Sequence, residues 1–233
     1  MQHKKILFFG SIGVLAETSD IQRQAYNQAL DEGGLHWSWD AETYRALLEM
    51  SGGRDRLRML SEATGAGLTD EAIERIHARK TEIACARIRR ERTPLRPGVA
   101  ALIGRAWAEG LRLGLVTTTY QENIDAIADA AGAHLPLDQF DVVVTRERVS
   151  VGKPDPAAYQ LALKETDQTP ERAIAVEDTM ASVLSATGAG IETIATPGAF
   201  ARGQSFFMAH YTVDALADEG GALHDAVCAA IFG

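Results

Sequence analysis

The stretch Lys5-Ile6-Leu7-Phe8-Phe9-Gly10-Ser11-Ile12-Gly13-Val14-Leu15 decides how the rest of the chain is read. A short apolar run closed by Gly-Ser-Ile-Gly has the pattern of a strand buried on both faces and ended by a tight turn. Similar runs follow at 111–117, 140–145 and 173–176, with a weaker one at 192–195. Helical periodicity fills the intervals between them, over 100–110, 121–131, 155–165 and 179–187. In the first of these Leu102, Ile103 and Trp107 share a side, and Gly110 supplies the stop. Strand and helix in alternation predict a doubly wound parallel α/β sheet with right-handed crossovers.

Residues 17–90 break that rhythm. They hold no credible strand but four amphipathic helical patches, at 21–32, 41–50, 54–64 and 69–90, separated by Gly52-Gly53 and Gly65-Ala66-Gly67. The chain returns through Thr93-Pro94-Leu95-Arg96-Pro97-Gly98, a stiff stretch suited to a hinge. The expected division is a core of 1–15 and 90–233 with a helical insertion at 16–89.

The 233 residues carry 23 Lys and Arg against 32 Asp and Glu, a formal charge of −9, which argues against nucleic acid or an anionic membrane surface as partner. The basic run Arg87, Arg89, Arg90 and Arg92 reads as a solvated helix face. At 46% hydrophobic and 24% charged residues the composition is that of an ordinary globular chain and excludes a mainly disordered one. Cys85 and Cys228 show no zinc spacing and no disulfide framework, so both are expected as buried thiols in a reducing compartment. The first apolar run is too short for a signal sequence or a membrane span, and the expected location is cytoplasmic. One feature of the acids stands out. None of the 32 precedes Glu17.

In a doubly wound sheet ligands bind beyond the carboxyl ends of the strands. The residues there are Gly10 to Gly13, Thr117 to Thr119, and Glu177-Asp178. Two adjacent carboxylates after a buried strand call for a positive partner, and a hard divalent cation such as Mg²⁺ takes oxygen ligands of this kind. Asp178 or Thr179 as a helix N-cap is the structural alternative, and both can hold at once. Lys153, in Gly152-Lys153-Pro154, offers a compact ammonium for a phosphate or for Asp178. Thr117 offers a hydroxyl and a backbone N–H, and the helix beginning at Gln121 offers a positive dipole end. Together these describe a site for a phosphoryl group with a magnesium ion.

The order of blocks resembles the haloacid dehalogenase superfamily, in its CbbY and β-phosphoglucomutase-like branch. The blocks are Leu15-Ala16-Glu17-Thr18, Arg96-Pro97-Gly98, Val116-Thr117-Thr118-Thr119, Gly152-Lys153-Pro154-Asp155-Pro156 and Val176-Glu177-Asp178-Thr179. The resemblance spans nearly the whole chain. It implies a Rossmann-like core with an α-helical cap after the first strand, Thr117, Thr118 and Lys153 as phosphate ligands, and Glu177 and Asp178 as magnesium ligands. In the cap it implies Arg54 and Lys80 as substrate contacts, Lys80 reaching a second phosphate, with Gln22 in place of a substrate-facing His.

The family's first strand ends in Asp-x-Asp-Gly-Thr-Leu, the first Asp being the nucleophile and the second the general acid/base. Here Gly10 and Ile12 stand at those positions. A glycine cannot form an acyl phosphate, and the metal loses a ligand; Ile12 cannot protonate a leaving group, although its backbone carbonyl can still face a metal. Ser11 is discounted as a substitute, since on a strand its side chain alternates away from its neighbours, and Glu17 and Asp20 are discounted too. The expected function is binding of a phosphorylated small molecule or phosphate without covalent turnover, as a sensor or as the partner of an active enzyme. The alternative is residual Mg²⁺-dependent phosphatase activity. Ligand identity, protein partner and oligomeric state are left open.

Overall fold

The computed structural model describes residues 5–48, 52–218 and 220–233. The first four residues of the expected core, and positions 49 and 50 of the helical patch 41–50, lie outside the described residues. Six strands form one parallel sheet: β1 (Ile6–Phe9), β2 (Arg112–Val116), β3 (Val142–Val144), β4 (Ala173–Glu177), β5 (Glu192–Ala195) and β6 (Tyr211–Thr212). Their order is β3-β2-β1-β4-β5-β6, the doubly wound arrangement that the apolar runs predict. The two-residue β6 was not expected.

Phe9 lies opposite Leu115 on one side and Val176 on the other. The three central strands therefore end nearly level. Residues 10–13, 117–119 and 177–178 emerge together at the point where the strand order reverses, which is where this architecture forms its crevice.

The pleat sends alternate side chains to opposite faces. Leu7 and Phe9 join Leu102 and Ile103 of α5 (Val99–Ala108), Ile124 of α6 (Gln121–Ala131) and Ile231 of α9 (Asp225–Phe232). Ile6 and Phe8 face Tyr159 and Leu163 of α7 (Ala157–Thr166) and Ala186 of α8 (Met180–Gly188). All four β1 side chains are fully buried.

Between β1 and β2 lie α1 (Ser19–Glu32), α2 (Ala41–Leu47), α3 (Gly53–Thr64) and α4 (Asp70–Glu91). They build an apolar cluster of their own around Tyr26, Leu30, Trp39, Tyr44, Leu57 and Ile76. Asp40 caps α2 by accepting from Thr43 N at 2.8 Å, and Thr69 caps α4 by accepting from Ala72 N at 3.2 Å. The helix α4 is shared: Ile73 and Ile76 belong to the insert, whereas Cys85 and Ile88 pack on the sheet side. On its outer face Arg87 pairs with Glu91 and Arg89 with Asp129. Cys228, expected to be buried, is only half-buried, and its sulfur accepts from Arg105 at 3.1 Å, a side chain at the exposed face of α5.

The return segment is held by Arg96, which donates to the carbonyl oxygens of Gly13, Thr196 and Pro197. Gly98 follows with φ +87°, and a Cβ there would come within 2.6 Å of the Leu216 carbonyl carbon and 2.7 Å of Ala217 N. Both are backbone atoms with no rotamer to escape into. Gly98→Ala is expected to cost about 1–3 kcal/mol, read as a lower urea midpoint at unchanged slope.

Candidate functional site

A cavity of about 400 Å³ lies between the carboxyl ends of the strands and the helical insert, a size suited to a small organic ligand. Ser11, Ile12, Thr117, Thr118, Lys153 and Asp178 line its sheet side. Gln22, Arg54, Arg56, His77 and Lys80 line the insert side. The structure thus brings the residues singled out from the sequence around one space.

At the floor, Glu177 is nearly inaccessible, with 1% of its side chain exposed. Its Oε1 accepts from Lys153 Nζ and from the Tyr159 hydroxyl. Lys153 Nζ also donates to Val116 O at 2.9 Å. An ammonium has three N–H groups, so one is left to face the cavity. Burial, with the Glu177 charge second, raises the Tyr159 pKa well above its ordinary value, and the phenol stays a donor. Glu177 Oε2 leans over Gly10: a Cβ built on that glycine would overlap it more closely than unbonded atoms can approach. The space of the missing side chain is filled by this carboxylate.

Asp178 is half-buried and rests against Gly13, where φ is +79° and a Cβ would collide with Oδ2. Burial, then the charge of Glu177, raises its pKa well above the carboxylate range, while Lys153 and Arg96 pull the other way. Thr179 caps α8 by accepting from Ser182 N at 3.3 Å. The cap reading of this stretch therefore holds, and it leaves the Asp178 carboxylate uncommitted. Glu17 is spent on backbone N–H groups, those of Ser19 at 3.0 Å and Ala199 at 2.5 Å.

Three details differ from the sequence expectations. β1 ends at Phe9, so the alternation argument does not reach Ser11; its buried hydroxyl turns inward to Thr117 Oγ1 at 2.7 Å. The Thr117 N–H is consumed by Val144 O at 2.9 Å, leaving only its hydroxyl, which already accepts from Thr119 N at 3.0 Å, to donate to a ligand. The amino end of α6 is already capped by an anion, since Glu147 Oε1 accepts from Gln121 N at 3.0 Å. Donors to an oxyanion on this side are therefore the third Lys153 N–H, the Thr117 and Thr118 hydroxyls and the backbone N–H groups of Ile12 and Thr118, which have no protein acceptor among the described residues.

On the insert side the positive charge is poorly compensated. Arg54 is engaged at the rim by the Tyr120 hydroxyl and by Glu74. Arg56 and Lys80 are 9% and 7% exposed, and neither forms an ion pair among the described residues. Arg56 NH1, the Tyr26 hydroxyl and Gln22 Oε1 are buried without a partner, although the Gln22 amide donates to Asn123 Oδ1 at 3.0 Å. Burial, helped by the Arg56 charge, pushes the Lys80 pKa down to about 7. Burial, with Lys80 and Arg54 contributing, pushes His77 down to about 3 and keeps it neutral. The unpaired Arg56 and Tyr26 donors, beside two basic side chains whose cations lie over the Tyr26 and Tyr44 rings, suit an anionic group. Arg56, His77 and Tyr159 were missed from the sequence. Arg56 had one signal, its place two residues after Arg54 and next to the core residue Leu57.

Comparison with known proteins agrees with this geometry. A family model described as haloacid dehalogenase-like hydrolase matches residues 4–190. Protein CbbY of Cereibacter sphaeroides is 37% identical over 92% of this chain and 94% of its own length. Protein CbbY of Rhodobacter capsulatus is 38% identical over 90% and 92%. The crystal structure of CbbY from Rhodobacter sphaeroides in complex with phosphate superposes with a TM-score of 0.85 at 36% identity, covering 94% of this chain and 98% of that one. An Asp-to-Asn variant of CbbY from the same organism, in complex with xylulose-1,5-bisphosphate, matches with the same TM-score at 35% identity, over 95% and 100%. With sheet order, cavity and sequence agreeing over this much of the length, the chain belongs to the haloacid dehalogenase-like hydrolases and is similar to their CbbY proteins.

Proposed function

We propose that the cavity holds a phosphorylated sugar, with one phosphate on Thr117, Thr118 and Lys153 and a second on Lys80 and Arg56 of the helical cap. Arg54 and Gln22 lie beside the second and shape its approach. The phosphate and xylulose-1,5-bisphosphate bound by the Rhodobacter sphaeroides proteins support a sugar bisphosphate as the ligand class. Two separated groups of cationic and neutral donors in one cavity match a ligand with an anion at each end.

Binding proceeds without covalent turnover. The observation that carries this is at Gly10: the carboxylate beside it is Glu177, whose Oε1 is held by Lys153 and Tyr159 while Oε2 lies over Gly10 itself. A carboxylate nucleophile needs a lone pair in line with phosphorus, and Ile12 supplies no proton to a leaving alcohol. The test is phosphate release from a sugar bisphosphate. The unmodified protein is expected to release none, and the double variant Gly10→Asp, Ile12→Asp to release it. Release by the unmodified protein that is lost on Asp178→Asn would instead establish a residual phosphatase.

A further inference from the structure

We infer that this cavity binds the phosphate end of its ligand without a divalent cation, because Glu177 has become the internal counter-ion of Lys153 and no longer forms half of a metal site. The inference rests on the proposed phosphate binding and goes beyond it by removing the Mg²⁺ that the family generally uses.

The donor set is the first argument. Mg²⁺ requires near-octahedral oxygen coordination and is held by one or two carboxylates together with water and substrate. Of the two acids at this end of the sheet, Glu177 has Oε1 occupied by an ammonium and a phenol, and Oε2 turned toward Gly10. A metal on Glu177 would share the one carboxylate that partners Lys153 among the described residues, in a place where the lysine side chain is 6% exposed. The ion would enter as a second cation beside the buried ammonium, and like charges brought together away from water repel strongly. Among the described residues Asp178 is then the one carboxylate there that does not already balance a cation, the lower limit of what holds Mg²⁺. Gly10 and Ile12 bring no charge. Among the described residues no group of three His, Cys, Asp or Glu side chains is placed to hold a metal ion. The residues present do not fit the ion.

The second argument is that the phosphate does not need it. Its oxygens meet the third N–H of Lys153, the Thr117 and Thr118 hydroxyls and the backbone N–H groups of Ile12 and Thr118. Among the described residues one carboxylate without an ion pair, Asp178, faces it from the floor. Two uncharged residues where two acids would otherwise repel the ligand remove the electrostatic reason for a bridging cation.

Titration of the intact protein with inorganic phosphate, followed by ³¹P NMR in EDTA and again in excess Mg²⁺, tests this. The expected result is the same dissociation constant in both conditions to within about twofold, and no protein-bound signal from Mn²⁺ by electron paramagnetic resonance. Affinity that rises about tenfold or more with Mg²⁺, or a bound Mn²⁺ spectrum, would overturn the inference while leaving phosphate binding intact. No phosphate binding in either condition would overturn the functional proposal itself, and this inference with it. The Gly10→Asp, Ile12→Asp variant serves as the opposite case: its new side chain displaces Glu177 from Gly10, and Mn²⁺ is expected to bind.

Discussion

Replacing Lys153 by Met is expected to lower the unfolding free energy by about 3–5 kcal/mol, a large share of what an ordinary domain possesses. The reason is the state in which it leaves Glu177. That carboxylate is 1% exposed, and without the ammonium it keeps only the Tyr159 hydroxyl as partner. Glu177→Leu is expected to be comparably harmful, since it strands Lys153 with a single carbonyl acceptor, Val116 O. The double variant Lys153→Met, Glu177→Leu should lose much less than the sum of the two, because neither charge is then buried alone. Urea unfolding of the four proteins measures the coupling. Single variants that each cost under about 1 kcal/mol would place the pair among weak, solvated bridges, contrary to its burial.

Lys80→Met is expected to weaken binding of a sugar bisphosphate by about 2 kcal/mol, ~30-fold, near pH 7, and to abolish a pH dependence that the unmodified protein shows. In the ligand-free protein burial holds the Lys80 pKa at about 7, against an ordinary 10.5. Arg56 stays charged, while His77 and Tyr26 stay neutral, the first because its pKa falls to about 3 and the second because burial raises its pKa. Above pH 7 the amine is neutral until a phosphate dianion arrives and restores its proton. A phosphate monoester is a dianion throughout this range, its second pKa being about 6. Binding therefore takes up a proton, and affinity falls as pH rises, by up to about tenfold per unit.

Stability of the free protein moves the opposite way. Below pH 7 Lys80 is protonated in folded and unfolded chains alike. Between about 7 and 10.5 the unfolded chain holds one proton more, so stability rises with pH across that window. Calorimetry in buffers of different ionisation enthalpy reads the proton uptake directly. An affinity independent of pH above 7 would mean that Lys80 does not meet the ligand.

Most of the fold is legible in the sequence because its strands are buried on both faces and so appear as short apolar runs. β6 escapes because Tyr211-Thr212 lies at the sheet edge and carries no such run. The positions of Thr118, Lys153, Glu177 and Asp178 are legible because a doubly wound sheet delivers strand ends to one crevice. What they touch is not. The side-chain direction of Ser11 depended on β1 stopping at Phe9. Tyr159 meets Glu177 only through the packing of α7 on the sheet. Glu147 reaches the end of α6 from a different loop. Arg56 and His77 become cavity residues through the packing of α3 against α4, which local periodicity does not encode.

The most direct measurement follows a sugar bisphosphate by ³¹P NMR in the presence of the unmodified protein and Mg²⁺. The account predicts that the phosphate resonances shift or broaden with added protein while no inorganic phosphate appears. Inorganic phosphate accumulating in proportion to the protein, and absent with Asp178→Asn, would contradict it.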